Sequence, residues 1–576
     1  MAVKERAARC GPAGLAAIGL SVLATFAVGV AGPSVMEPVL PGRPGQPPWA
    51  FDLRFSPYLA VGLTALGLVA GTVGLVLVLR AMKGGWSVSA RAVLLGGIVA
   101  AAVLTLVPPF GSSDPLSYAA YGRMVVTGHN PYLTTPAQLA LHGDPVARAV
   151  QDWSTQPSVY GPLASGIQGL ASLIGGTSAR LTVFVLGLAN LLAFVVTALL
   201  LYRMSGSPQR RLRAMLLWTA NPLLLQVLIA GGHIDTQQIA CCVAAVAVLH
   251  RRVTPQRAAL AGVLAGLGFA VKVSAALVVA GLAVALVLAP EGDRQDGLGG
   301  RWLRHTAGVG ERRAGQPVAD SAAGAVSWRR VAALLGALGA GFAVVAGASV
   351  AIGGSAMLTV TSRASDMVSI GSPWRTVRTA FQHIAGHASA GDIVKYGAIL
   401  LAVLLAVLLL RGLPRMLARD QVSTAALAPL ALVLGWLFAW PYVLPWYDAL
   451  GWAFLALVPA SGLDWPMLAR TTALGLAYLP ARTADVTLPH GLHWVQPVFR
   501  NGVAPVVLLC ATVWLVVIIV RDRYSALGDI GSVRSDRTVR GSDRHLDGDD
   551  RSSTRHEGGQ GVHGADRGQR RVARDG

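Results

Sequence analysis

The chain is poor in charge. Of its 576 residues only 13% are Asp, Glu, Lys or Arg, against 53% that are hydrophobic. A soluble domain carries roughly 25% charged residues to cover its surface, so an ordinary water-soluble enzyme is excluded. Acidic residues are the scarcer sign, 28 against 48 basic. Lysine occurs only at Lys4, Lys83, Lys272 and Lys395, and the rest of the positive charge is Arg. With abundant Ala, Gly, Val and Pro, that bias suits a GC-rich bacterial genome. Cysteine is nearly missing: Cys10, Cys241, Cys242 and Cys510 lie in or beside apolar runs without C-x-x-C spacing. A disulfide framework and a thiolate metal site are therefore not expected. No internal repeat is visible either, which weighs against a transporter built from inverted halves.

What the chain has is apolar runs of membrane length, and a mean hydropathy of +0.55. Candidate spans fall at about 13–31, 59–79, 93–107, 181–201, 214–230, 234–249, 258–271 and 274–288. Six more follow at about 331–352, 396–410, 425–439, 449–458, 471–478 and 506–520. The pattern predicts an all-α polytopic membrane protein over residues 1–520, with about 12–14 transmembrane helices. Lys4, Arg6 and Arg9 precede the first run, which reads as a retained helix and not a cleaved signal, being long for one.

The net charge of +20 would suggest nucleic acid on a soluble protein. Here the basic residues collect between apolar runs, where they set orientation, so no nucleic-acid partner is expected. Arg80, Lys83 and Arg91 mark one cytoplasmic loop; Arg203, Arg210, Arg211 and Arg213 mark the next; Arg251, Arg252 and Arg257 a third. The polar loop at about 291–330, the trio Arg411, Arg415 and Arg419, and the tail from Arg521 agree with the same registry. Both termini are then cytoplasmic, and residues 108–179 form a long first exterior loop of a bacterial plasma-membrane protein. The Arg/Asp/Gly/Ser-rich tail, 521–576, has too little apolar surface to order itself. Lys272, Lys395, Arg123, Arg148, Arg363, Arg375 and Arg378 land on the exterior side against the rule. Each needs another reason, such as an anionic ligand.

Four clusters of unusual residues share that exterior face. The first loop opens Pro108-Pro-Phe-Gly-Ser-Ser-Asp114-Pro-Leu-Ser-Tyr118-Ala-Ala-Tyr121-Gly-Arg123 and continues to Asn130-Pro-Tyr132. Ser113 or Asp114 suits a helix N-cap with Pro115 at the first position. Tyr118 then shares the Asp114 face of the helix. A carboxylate placed there is either a plain cap or a base for a hydroxyl proton. Trp153 to Tyr160 form an aromatic, Gly/Pro-bounded loop that suits sugar stacking or a simple interfacial turn. In Gly231-Gly-His233-Ile-Asp235, the His and Asp either bond a sugar or close the turn. Lys272 either meets a lipid phosphate or snorkels. In Trp440-Pro-Tyr-Val-Leu-Pro-Trp446-Tyr447-Asp448 the aromatics suit headgroup level, whereas Asp448 asks for a further explanation.

Taken in order, these motifs resemble the actinobacterial polyprenol-phosphate-mannose-dependent α-1,6-mannosyltransferases, of the GT-C glycosyltransferase superfamily. The resemblance rests on Gly111 to Arg123, Gly128 to Tyr132, Tyr160-Gly-Pro-Leu163, Gly231 to Asp235, Lys272-Val273 and Trp440 to Asp448. Pro115-Leu116 and Ile234 depart from the family's pattern, but the acid and the histidine are in place. The resemblance implies a GT-C-like bundle and transfer of mannose from polyprenyl-phosphate mannose to a mannan or lipoglycan acceptor. It implies Asp114 as catalytic base, with Lys272 and Arg123 toward the donor phosphate. Tyr118, Asn130, Tyr160, His233, Asp235, Trp446, Tyr447 and Asp448 become candidates for sugar or acceptor contact. No metal and no cofactor is implied; membrane lipids are the surroundings. The alternatives are a glucose or arabinose donor, or a lipid-linked-sugar flippase.

Overall fold

The computed structural model describes residues 2–288, 328–417, 424–481 and 487–521. Most of the 291–330 loop, the tail after Arg521 and Arg419 lie outside them. Among the described residues every regular element is helical, apart from one isolated bridge between Ser34 and Glu37.

Helices α1 (Ala2–Ala31), α2 (Pro57–Lys83) and α3 (Ala90–Thr105) lead into a loop that is itself helical. It holds α4 (Asp114–Val126), α5 (Pro136–Leu141), α6 (Pro145–Arg148) and α7 (Pro162–Gly175). After α8 (Ala179–Met204) and α9 (Pro208–Leu217), the short α10 (Pro222–Leu224) runs on as a π-helical turn over Leu225–Ala230. Next come α11 (Asp235–Arg251), α12 (Pro255–Val271) and α13 (Ala276–Leu288). The second half holds α14 (Trp328–Ser365), α15 (Pro373–Met416), α16 (Thr424–Ala439), α17 (Asp448–Leu455), α18 (Asp464–Ala477) and a last helix α19 over 504–521.

A recurrent local signal starts many of these helices. Ser56, Thr135, Asp144, Ser207, Asn221 and Thr254 each accept a backbone N–H with the side chain, and each is followed by Pro. The cap satisfies an orphan donor, and the proline presets φ where no N–H is needed.

The apolar runs fall mainly on helices, the run at 214–230 being broken by a turn over 218–221, and they differ in kind. Among the described residues seven helices are long and apolar enough to cross a membrane, including Pro57–Lys83, Ala179–Met204 and His490–Arg521. Four shorter apolar helices, Ala90–Thr105, Pro255–Val271, Val273–Leu288 and Ala425–Ala439, accompany them. The remaining three runs fall on α11, α17 and α18. Every residue of α17, Asp448 to Leu455, is buried; it fills the interior and is too short to span lipid. On α14, α15 and α19, by contrast, Val344, Ile352, Leu400, Leu404, Val513 and Val517 point outward. An apolar exterior around helices whose backbone bonds are internal is what a bilayer demands.

Small residues let helices approach closely. A Cβ on Gly262 of α12 would collide with the Leu338 carbonyl of α14, and one on Gly341 with the Ala259 carbonyl. Such contacts replace the hydrophobic drive that lipid does not supply.

Several basic residues prove to have carboxylate partners. Arg213 is buried and binds Asp464 bidentately at 2.9 and 2.6 Å, while its Nε donates to the Val458 carbonyl. It therefore ties α9 to α18 and is no free loop charge. Three of the basic residues that broke the charge registry are also paired: Arg123 with Asp144 at 2.8 Å, Lys272 with Asp235 at 2.7 Å and Lys395 with Asp366 at 2.8 Å.

Candidate active site

The site assembles around the start of α4. Ser113 precedes the helix but makes no capping bond; its hydroxyl donates to Asp152 at 2.6 Å instead. The Asp114 backbone N–H is met by the Ser112 hydroxyl at 3.1 Å. The Asp114 carboxylate is thus released from capping. One turn on, the Tyr118 hydroxyl donates to its Oδ2 at 3.3 Å, as the four-residue spacing requires. Tyr160 donates in turn to the Tyr118 hydroxyl at 3.4 Å, with the two rings edge to face. Burial pushes the Asp114 carboxyl up to about 6, against the opposing pull of Lys272, Tyr118 and Ser112.

The π-helical turn delivers His233. Gly232 has φ +66, and a Cβ there would press on Pro115, the neighbour of Asp114, at 3.0 Å. The pair of glycines therefore lets the turn lie flat against the start of α4. The Val227 carbonyl accepts a hydrogen bond from His233 Nδ1, and the Nε2 faces Asp114 Oδ2 at 3.7 Å with no hydrogen-bond partner. The His233 ring stacks on Trp446, centroids 3.6 Å apart. Trp446 is walled in by Tyr447 and Tyr478.

Lys272 follows the last residue of α12 in extended backbone. Its Nζ donates to Asp235 Oδ1 at 2.7 Å and stands 3.8 Å from the centre of the Tyr447 ring. Asp235 Oδ2 is buried and has no hydrogen-bond partner. A pocket adjoins this wall, lined by Phe110, Gln226, His233, Trp446, Gly475 and Tyr478 among others.

Eight residues singled out in the sequence are thus joined by direct contacts or charge: Asp114, Tyr118, Tyr160, His233, Asp235, Lys272, Trp446 and Tyr447. Three stand differently. Arg123 Nε is held by Asp144, whose other oxygen caps α6. Asn130 is exposed and closes a turn by accepting the Tyr132 N–H at 2.8 Å. Asp448 is fully buried, bound by Arg470 at 2.9 Å and by the Thr471 hydroxyl at 2.8 Å. The sequence alone did not single out Asp152, Arg470 and Tyr478. Arg470 had a usable signal, since an arginine beside an apolar run needs a buried anion. Asp152 and Tyr478 had none, because their partners are distant in sequence.

Residues 12–288 match the MptA/B family, described as alpha-(1->6)-mannopyranosyltransferase, N-terminal domain. The chain carries this family's N-terminal domain. Membership makes the protein a glycosyltransferase with multiple membrane-spanning helices. No curated protein and no solved structure matches the chain. The matched stretch of this mannosyltransferase-family enzyme contains Asp114, Tyr118, Tyr160, His233, Asp235 and Lys272. Trp446 and Tyr447 come from beyond it, so the wall of the site is closed by the second half of the chain.

Proposed function

We propose that this enzyme moves mannose from polyprenyl-phosphate mannose to a mannan or lipoglycan acceptor, in α-1,6 linkage with inversion, on the exterior face of the membrane. The observation that carries the reading is the Asp114 carboxylate: buried, released from capping and set in one cluster with the Lys272 ammonium.

In this reading Asp114 accepts the proton of the acceptor's 6-hydroxyl. The oxygen forms its bond to the anomeric carbon as the bond to the phosphate oxygen breaks. The electron pair leaves with the polyprenyl phosphate, a good leaving group as a phosphate monoester. Lys272 lies beside that developing charge; Asp235 takes one of its N–H bonds and leaves others for phosphate oxygens. Trp446, Tyr447 and Tyr160 supply apolar walls for pyranose faces. Attack opposite a β-linked phosphate yields the α-product.

The test is transfer in isolated membranes with polyprenyl-phosphate mannose, glucose and arabinose offered in turn to a mannoside acceptor, followed by linkage analysis. Mannose transfer in α-1,6 linkage is expected. Preference for another sugar would assign a sister GT-C activity, and movement of intact donor across the bilayer without transfer would assign a flippase.

A further inference from the structure

Resting on the base role given to Asp114, we infer that His233 is a positioning residue that accepts a hydrogen bond from Asp114 once the carboxyl has taken the acceptor's proton.

Because Val227 O is an acceptor, Nδ1 carries the imidazole proton and Nε2 carries the lone pair. That lone pair is buried, has no partner, and faces Asp114 Oδ2 at 3.7 Å. Facing an ionised carboxylate it meets a second acceptor, a repulsive arrangement that holds the two apart. Facing a protonated carboxyl it receives an O–H···N bond. His233 therefore favours the acid form of Asp114 that transfer creates, which makes Asp114 a stronger base.

Everything around the imidazole keeps it in that state. Stacking on Trp446 fixes the ring plane. The Gly231 backbone closes on the ring's other edge, where a Cβ would stand 2.8 Å from Nδ1. Burial, with the nearby Lys272 charge, depresses the imidazole to about 3, so it stays neutral at any working pH. The other groups facing the pair are Tyr118 and Tyr121 on α4, Tyr160 before α7, Asp235 on α11 and Lys272 after α12. Tyr442, Tyr447 and Tyr478 face it from the second half of the chain. Of these, Tyr118 donates to Asp114 and so favours the carboxylate. Tyr118 and His233 act on one oxygen in opposite senses.

The experiment is the pH profile of mannosyl transfer in membranes. In His233→Asn the amide keeps the donor to Val227 O and removes the Nε2 acceptor. The acidic limb is expected to move about one pH unit lower. Tyr118→Phe, which removes the donor, is expected to move it higher. His233→Ala should also lower the limb, and added imidazole should return it toward the wild-type position. Limbs that stay in place or move together in one direction overturn the inference, and so does loss of both His233 variants from the membrane, which assigns His233 to folding. Asp114→Asn keeps the two claims apart: activity and an intact limb in that variant would overturn the base reading itself.

Discussion

The His233 imidazole lies on the Trp446 indole with centroids 3.6 Å apart and planes inclined by 19°. One ring comes from the turn after the π-helical segment and the other from the Pro-broken turn before α17. This contact joins the family-matched half of the chain to the remainder at the edge of the site. It also sets the plane in which Nε2 meets Asp114.

Asp114→Asn is expected to lower transfer by ~10²–10⁴-fold, the usual contribution of a positioned base. Asn keeps the size of the side chain and its contact with Tyr118, so membrane abundance should stay normal. Turnover by initial rates with a mannoside acceptor, normalised to enzyme amount, checks it; near-normal turnover would remove Asp114 from the role.

The acid limb of the rate should have its midpoint near 6. Burial raises the Asp114 carboxyl from 3.8 to about 6, and only the ionised form can take a proton. Activity therefore rises as pH increases through about 6. The linkage has the opposite sign for stability. Between 3.8 and about 6 the folded state binds more protons at this group than the unfolded chain, so this contribution falls as pH rises through that window. Rate and thermal stability measured on one pH series should diverge accordingly.

Lys272→Gln should raise the donor KM roughly tenfold or more, the scale of a lost hydrogen bond to a charged group. It also leaves buried Asp235 without its cation, so abundance must be measured alongside. Unchanged donor KM in folded enzyme would remove Lys272 from phosphate recognition.

Asp448→Asn should act on the fold and not on the sugar. The side chain is buried against Arg470 and Thr471, and removing one partner of a buried pair costs about 3–5 kcal/mol. Thermal inactivation in detergent should come earlier, while surviving enzyme keeps its donor KM. A selective change in KM with normal stability would place Asp448 at the substrate.

Much of this protein was legible one segment at a time. Hydropathy located the helical runs, because apolar stretches act over a few residues; the Ser/Thr/Asp/Asn-Pro steps that begin many helices emerged only in the structure, and the one cap expected from the sequence, at Ser113 or Asp114, makes no capping bond. The four-residue interval from Asp114 to Tyr118 likewise put both on one helical face. The difference between spanning and interior helices was not legible: α17 is as apolar as a span but is buried at every residue. Nor were partners. Arg123 and Asp448 looked free for ligand in the chain, yet packing gives them Asp144 and Arg470. Whether Asp114 capped its helix was open until Ser113 was seen turned toward Asp152. Local periodicity decides which residues share a helix face. Which two distant faces meet, and so whether a carboxylate finds an arginine, a lysine or a lone-pair nitrogen, is decided only when the helices pack.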